Sequence, residues 1–474
     1  MQLYPATPVF LVLLALCVIG GPRRLLILLS AMLPFGMFAA LSLPAVGGLS
    51  ILAVNLTAAV LAGFGALALI GNLMRGRSIT VEPAAIALLL FTAYAIFSAT
   101  VLVRLFAGEM MVFPLSRNET GVRVSVLFSW GKVWLGPTSS NISQTFYVAL
   151  ACGFFIAACR ALAAQGAAFG GRCMAVAASV NIALGSLDLA GLDDLLSYVR
   201  TANYTLANSA SVNGLARIIG GYSEAASFGT ASAVFYAYFA SAATNGGRRT
   251  DTLLAAGSAL CTVLALSSTG LIALAVTTLL LAIRGVARLP SRVTAETVLR
   301  LVAGLLTMAL TTAAVLLLTD APDIIMAVLD DLIFEKSSSS SGQERMAWSL
   351  GGLAALRDTW GLGAGTGSIR SNGLVFVLLG SVGLPGTALF AAFLWLAFAG
   401  RAAPGQEAHL SNARLAAVAV LVSMLLAATV PDPGVPLILL AAIAVTARRA
   451  RPEPALRSPV LILRRPIFTR SNPV

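Results

Sequence analysis

The chain predicts an all-α polytopic membrane protein, with about 12–14 transmembrane helices and long loops on its outer face, and three observations carry that prediction. Of its 474 residues, 58% are hydrophobic and only 11% charged, against roughly a quarter charged in soluble domains. So few charged side chains cannot coat a soluble fold, and the mean hydropathy of +0.91 says the same. Apolar runs of about 20 residues, the length a hydrocarbon core of about 30 Å requires, recur from one end to the other. Every second connection between them is short and carries arginines. A transmembrane β-barrel would show alternating segments of about 10 residues instead, and the chain does not.

Taken in order, the apolar spans are 6–22, 25–46, 49–71, 83–106, 144–163, 173–192, 224–243, 252–268, 271–287, 297–318, 373–399, 414–430 and 434–447. The first lacks a basic leader and a small-residue cleavage site, so it reads as a helix and not as a signal peptide. Arg23 and Arg24 separate the first two spans, which makes that turn cytoplasmic. Alternating from there, the other inside connections carry Arg75 and Arg77, Arg160 and Arg172, Arg248 and Arg249, Arg284, Arg288 and Arg292, then Arg401 and Arg414. The parity puts the N-terminus outside and the basic tail in the cytoplasm. Because the net charge of +12 resides in these short turns, it marks topology and excludes nucleic acid as a partner.

Three outer loops are long: 107–143, 193–223 and 319–372. They divide the chain into N-terminal transmembrane helices (1–192), a membrane core (193–447) and a basic tail (448–474). Val122, Val124, Val126 and Phe128 alternate as a strand or hairpin would. Ser337 to Ser341 reads as a flexible link. Met346 to Trp360 reads as a surface or re-entrant helix ended by glycines. The five cysteines lie in or beside apolar spans without paired spacing and read as core residues, with no metal site. The only histidine, His409, falls in a cytoplasmic connection. Asn55, Asn118, Asn141 and Asn203 begin N-x-Ser/Thr triplets, which carry no weight here.

Charges within the spans are few: Asp188, Arg104 and Arg300 near span ends, read as snorkelling or capping groups. An ion-coupled carrier would show more. The richest cluster runs from Asn213 to Gly229, where Arg217 and Glu224 bracket a Gly220-Gly221 turn. Glu224 opens an apolar helix, a place where a carboxylate is favoured by the helix dipole, so it is either a cap or a reactive group. Arg345 and Arg357, twelve residues apart, either border one pocket and bind phosphate oxygens or lie with Trp348 and Trp360 at the headgroups. Gly361, Gly363, Gly365 and Gly367 lack the preceding strand of a dinucleotide fingerprint, so no cofactor is expected. Close backbone approach explains them better.

In order, Arg217 with its Gly220-Gly221-Tyr222-Ser223-Glu224 turn, Leu266-Ser267-Ser268-Thr269-Gly270, Arg345 with Trp348, Trp360-Gly361-Leu362-Gly363-Ala364-Gly365 and Asn372 resemble the O-antigen polymerase and ligase superfamily (Wzy-like proteins) over about residues 200–400. That resemblance implies metal-independent glycosyl transfer at the periplasmic face of the bacterial inner membrane. The donor would be an oligosaccharide on undecaprenyl diphosphate, and a flippase and a chain-length regulator would be partners. It gives Arg217, Arg345 and Arg357 to the diphosphate and Glu224, with Arg217, to catalysis. Ser223, Gly363, Gly365 and Asn372 would support them. Ligase members open the following helix with His-Asn, and here the pair is Ser371-Asn372, which favours a polymerase of exopolysaccharide or O-antigen over a ligase. A lipid-linked oligosaccharide flippase or other transporter is the alternative from another class. It would carry charges along its spans and a repeat relating its halves, and neither is seen.

Overall fold

In lipid a backbone must satisfy its own hydrogen bonds, and a helix does so within one segment. The computed structural model describes residues 3–43, 49–78, 81–115, 122–123, 131–202, 206, 211–212, 215–287 and 340–449, and helices dominate it. They are α1 (Thr7–Ile19), α2 (Pro22–Met32), α3 (Ala53–Met74), α4 (Pro83–Phe97), α5 (Val103–Leu105), α6 (Ser139–Gln165), α7 (Ala167–Leu189), α8 (Asp193–Ser197), α9 (Ala225–Thr244), α10 (Arg249–Leu264), α11 (Ser268–Ala287), α12 (Ser340–Asp358), α13 (Leu374–Phe398), α14 (Glu407–Ala427) and α15 (Gly434–Arg448). A π turn at Ser98–Leu102 joins α4 to α5. Among the described residues seven helices are long and apolar enough to cross a membrane: α3, α4 through α5, α6, α7, α11, α13 and α14. The chain is a multi-pass membrane protein. The expected span 297–318, with Arg300, and most of the serine run lie outside the described residues, as do Asn118, Asn203 and the tail beyond Arg449.

One expected span is corrected. Residues 25–46 are not a single helix: α2 stops at Met32 ahead of Pro34, and Ala39–Leu43 (β1) pairs antiparallel with Leu49–Leu52 (β2). Proline cannot donate to the helix and disfavours helical backbone before it. The loop after α5 carries a small sheet in which Gly131–Trp134 (β5) lies between Met111–Val112 (β3) and Val122–Arg123 (β4). Ser211–Val212 (β6) and Leu215–Ala216 (β7) form a last short ladder. His409 stands in the first turn of α14 and not in a connection.

The helices alternate in direction, and their contacts sort the connections onto two ends of the bundle. At one end Arg449 Nε donates to Glu82 Oε1 at 2.7 Å, tying α15 to the start of α4. Arg414 Nε donates to Phe398 O at 2.7 Å, Arg284 to Ser411 Oγ at 3.3 Å and Asn245 Nδ2 to Asn412 Oδ1 at 3.0 Å. The arginine-bearing turns thus gather at this basic end. At the opposite, loop end, Thr201 N–H donates to Met37 O and Arg370 N–H to Phe113 O, joining distant loops to one another. The main apolar core draws on residues from Phe10 to Ala447. Within it Phe91 meets Phe390 edge-on at 5.3 Å and Phe155 meets Phe393 at 5.4 Å. Helices on both sides of residue 192 therefore share one core.

α12 covers most of the helix expected over Met346 to Trp360 and packs along α13. Ser349 Oγ bonds Asn372 O at 2.9 Å at the top of α13. A Cβ on Gly352 would stand 2.7 Å from Phe376 O, and the Gly361 carbonyl reaches Leu384 N–H. The helix thus runs beside α13 as far as Gly383, nine residues or about 14 Å below the start of α13. There α13 itself breaks, with Gly383 at φ 61° and Pro385 two residues on. The glycine run climbs back between that break, the π turn and the head of α6. A Cβ on Gly363 would lie 2.5 Å from Gly383 N, and one on Gly367 2.4 Å from Ser140 O. Thr359 Oγ1 accepts from Gly363 N–H, and Tyr94 donates its hydroxyl proton to Leu362 O. Irregular backbone inside the bundle is tolerated because protein surrounds and satisfies it.

Gly363→Ala should lower stability by about 2 kcal/mol or more, since it adds a left-handed backbone cost to a backbone clash. Gly63→Ala, in open space on α3, should be neutral or stabilising by up to about 1 kcal/mol. Thermal unfolding of the two variants in detergent tests the contrast. Single cysteines placed at Gly246 and at Asp194 should react with an impermeant maleimide from opposite sides of a sealed membrane.

Candidate functional site

The loop end is organised by one buried ion pair. Asp188, at the end of α7, bonds the Arg200 guanidinium, and Arg200 Nη1 reaches Asp193 Oδ1 at 2.7 Å. Arg200 is only 9% exposed. Its Nε and Nη2 both donate to Gly220 O, at 2.9 and 2.7 Å. Asp188 Oδ2 in turn accepts from Ile219 N–H at 2.6 Å and Gly220 N–H at 3.0 Å. The pair therefore holds both faces of the turn that precedes α9. The reading of Asp188 as a snorkelling or capping group is corrected, because the carboxylate points into the fold and fixes a loop.

The same turn needs its glycines. Gly220 has φ 53°, and a Cβ on Gly221 would stand 2.4 Å from Pro34 O. Gly221 O accepts from Met37 N–H, and the Tyr222 hydroxyl donates to Leu33 O at 3.3 Å. Tyr222 is held well above its ordinary pKa by burial. With the chain so fixed, Glu224 takes the N-cap position of α9 in extended backbone, yet its side chain makes no capping bond. It accepts a hydrogen bond from Ser227 Oγ at 3.3 Å. The cap explanation of Glu224 is thereby weakened.

Arg217 docks on the turn between α10 and α11, donating from Nε to Ala265 O at 3.2 Å. Burial pushes its pKa down, and the Glu224 carboxylate opposes that shift. The two residues read as partners in the sequence are thus electrically coupled. Beside Glu224 opens a cavity of about 450 Å³, walled by apolar residues of α9, α14 and the start of α15, among them Val234, Met424 and Val435. Its polar lining includes Asn55, Thr230, Thr269, Ser423 and a second carboxylate, Asp432.

Asp432 lies in the turn between α14 and α15, with Oδ1 accepting from Gly434 N–H at 3.0 Å. Burial raises its pKa, and the Gly434 bond only partly offsets that. Sequence reasoning passed over this residue. The available signal was its position: Pro431-Asp432-Pro433-Gly434 holds the one charge between two apolar spans on the loop side. Asn55 was set aside with the other N-x-Ser/Thr triplets because it sits among apolar neighbours. Asn141 belongs to a buried network, donating from Nδ2 to Thr366 O and Ser368 Oγ at 2.7 Å each.

The other expected site residues separate. Arg345 and Arg357 lie about 18 Å apart along α12, and neither lines the cavity beside Glu224. Arg345 stands at the upper part of α12, where Ser349 Oγ donates to its carbonyl. Arg357 lies at the foot of α12, is 81% exposed and pairs with Asp358 at 2.8 Å. Gly363 and Gly365 are buried against Gly383 and Ser98, which makes them packing residues. Asn372 donates to Leu426 O at 3.1 Å, linking the loop after the glycine run to the last turn of α14. Ser223 is half-buried between Tyr222 and Glu224.

No protein-family model matches the chain, and no curated protein matches it either.

Arg200→Ala should destabilise the protein by about 3–5 kcal/mol, because it strands a buried carboxylate. Replacing Asp188 and Arg200 together by Leu and Met should cost less than the single change, which unfolding of the three variants in detergent will measure. The raised pKa of Asp432 means that the folded protein binds a proton there more tightly than the unfolded chain does. Stability should therefore fall as pH rises from the ordinary carboxylate range through the raised value, and Asp432→Asn should remove that slope.

Proposed function

We propose that the protein is a polysaccharide polymerase that joins oligosaccharide repeat units carried on undecaprenyl diphosphate, at the periplasmic face of a bacterial inner membrane. The observation that carries the reading is the loop-end cavity in which Glu224 and Asp432 stand in a mostly apolar wall, with Arg217 beside the first. A lipid-linked saccharide needs such a place: apolar helix surface for the carrier, and polar groups at the level of its head.

The transfer itself asks for two things. A hydroxyl of the acceptor sugar attacks the anomeric carbon of the donor, the bond from that carbon to the diphosphate oxygen breaks, and the lipid diphosphate leaves with the electron pair. A carboxylate takes the hydroxyl proton. Asp432 is the better proton acceptor of the two, because burial raises its proton affinity toward the working pH. Glu224 keeps Arg217 charged beside the cavity and orients the acceptor. Arg217, with Arg345 above, meets the charge that grows on the diphosphate. Arg357, paired to Asp358 at the foot of α12, takes no part in this scheme.

In a strain lacking the gene, complemented with variants, Asp432→Asn and Glu224→Gln should each reduce polymer formation by about 10²–10⁴-fold, and Arg217→Ala by about 10²–10³-fold. Single repeat units should still reach the outer face, whereas repeat units trapped inside would mark a transporter. In purified form the activity should rise with pH through a value above the ordinary carboxylate range, and Asp432→Asn should lose that limb.

A further inference from the structure

A second cavity, about 820 Å³, lies at the basic end, on the other side of the bundle from Glu224 and Asp432. It opens between α3 and α6. These helices run in the same direction and meet closely at mid-length, where a Cβ on Gly65 would stand 2.9 Å from Ala157 Cβ and one on Gly153 3.2 Å from Ala62 Cβ. The next positions toward the basic end, Ala68 and Leu69 on α3 and Ala161 and Ala164 on α6, do not close on one another but line the cavity. Small side chains at the positions of would-be contact leave a groove. Leu73, Leu89 and Ala164 on its walls are exposed, so the groove faces the surroundings of the bundle.

Its length approaches that of one leaflet. From Gly65 to Leu73 along α3 the lining covers eight residues, or about 12 Å of helix, against about 15 Å for half a hydrocarbon core of about 30 Å. Its rim is cationic: Arg23, Arg160 and Arg449 stand against one carboxylate, Glu82, which Arg449 already binds. Arg23 is further crowded by Arg172, since both guanidiniums lie over the Phe169 ring, at 5.6 and 5.2 Å from its centroid. Like charges gathered at the mouth of an apolar, leaflet-deep groove call for an anion with a hydrocarbon tail.

We propose that this groove binds an anionic phospholipid, its phosphate between Arg23 and Arg160 and an acyl chain along α3 and α6. The site is separate from the transfer reaction, and its test does not read polymer formation. The lipid fills the space where the two helices part and neutralises the arginines that meet there. It therefore stabilises the α2–α3–α6 corner of the bundle.

Native mass spectrometry of the full chain in mild detergent, titrated with phosphatidylglycerol or phosphatidylcholine, tests the assignment. Phosphatidylglycerol should be held in preference, with one lipid dominating. Arg23→Gln and Arg160→Gln should each weaken it by about five-fold, the worth of about 1 kcal/mol per basic group, and leave phosphatidylcholine unchanged. Ala164→Leu should weaken both lipids by filling the groove, and phosphatidylglycerol should raise the melting temperature of the wild type more than that of Arg160→Gln. Equal retention of the two lipids would overturn the proposal. So would a loss as large from Arg284→Gln, a basic-end residue outside the groove, or equal thermal protection by inorganic phosphate alone.

Discussion

The loop end of this protein depends on the Asp188–Arg200 pair. Two buried charges are expensive to desolvate, and they persist here because the polar atoms of the pair are all partnered, by each other, by Asp193 and by Ile219 N–H, Gly220 N–H and Gly220 O. That arrangement converts a glycine turn into a rigid one. The chain then enters α9 in a single direction, which sets Glu224 over the cavity and Arg217 against the α10–α11 turn. Neither Glu224 nor Arg217 is held by its own side chain alone. Their placement comes from a pair that touches neither.

A second constraint acts inside the bundle. The glycine run after α12, the π turn and the break in α13 at Gly383 are three departures from regular helix that meet there. Each would be costly alone in lipid, since it frees backbone groups. Together they satisfy one another: Ala364 and Gly365 N–H donate to Gly380 O and Ser381 O, and the Thr366 N–H reaches Ser98 Oγ. The glycines are what allow backbones to approach that closely. The run is therefore a structural joint that carries Asn372 to the last turn of α14, and so links α12 to the wall of the cavity.

The two ends of the molecule divide electrostatic labour. The basic end collects arginines whose partners are carbonyls at helix C-termini, as Arg414 with Phe398 O and Arg448 with Ala399 O. Cations there are favoured by the helix dipoles and match an anionic membrane surface. The loop end instead holds carboxylates beside apolar walls. A proton-accepting group is useful only where water does not level its pKa, and the turn at Asp432 supplies that environment.

Composition alone determined that this chain lives in a membrane, because 11% charged residues cannot cover a soluble fold. The arginine parity determined which connections share an end, and the contacts Arg449–Glu82 and Asn245–Asn412 agree with it. Arg217 and Glu224 were legible as neighbours because they flank one short turn. Asp432 was not: a lone aspartate between prolines gains meaning only when α3, α9 and α14 close around it, two hundred residues away in sequence from Glu224. Nor did spacing show that Arg357 stands exposed and paired to Asp358, at the other end of α12 from Arg345. Local patterns specify helices, ends and glycine joints, whereas burial, and with it the proton affinity of a carboxylate, belongs to the tertiary structure alone.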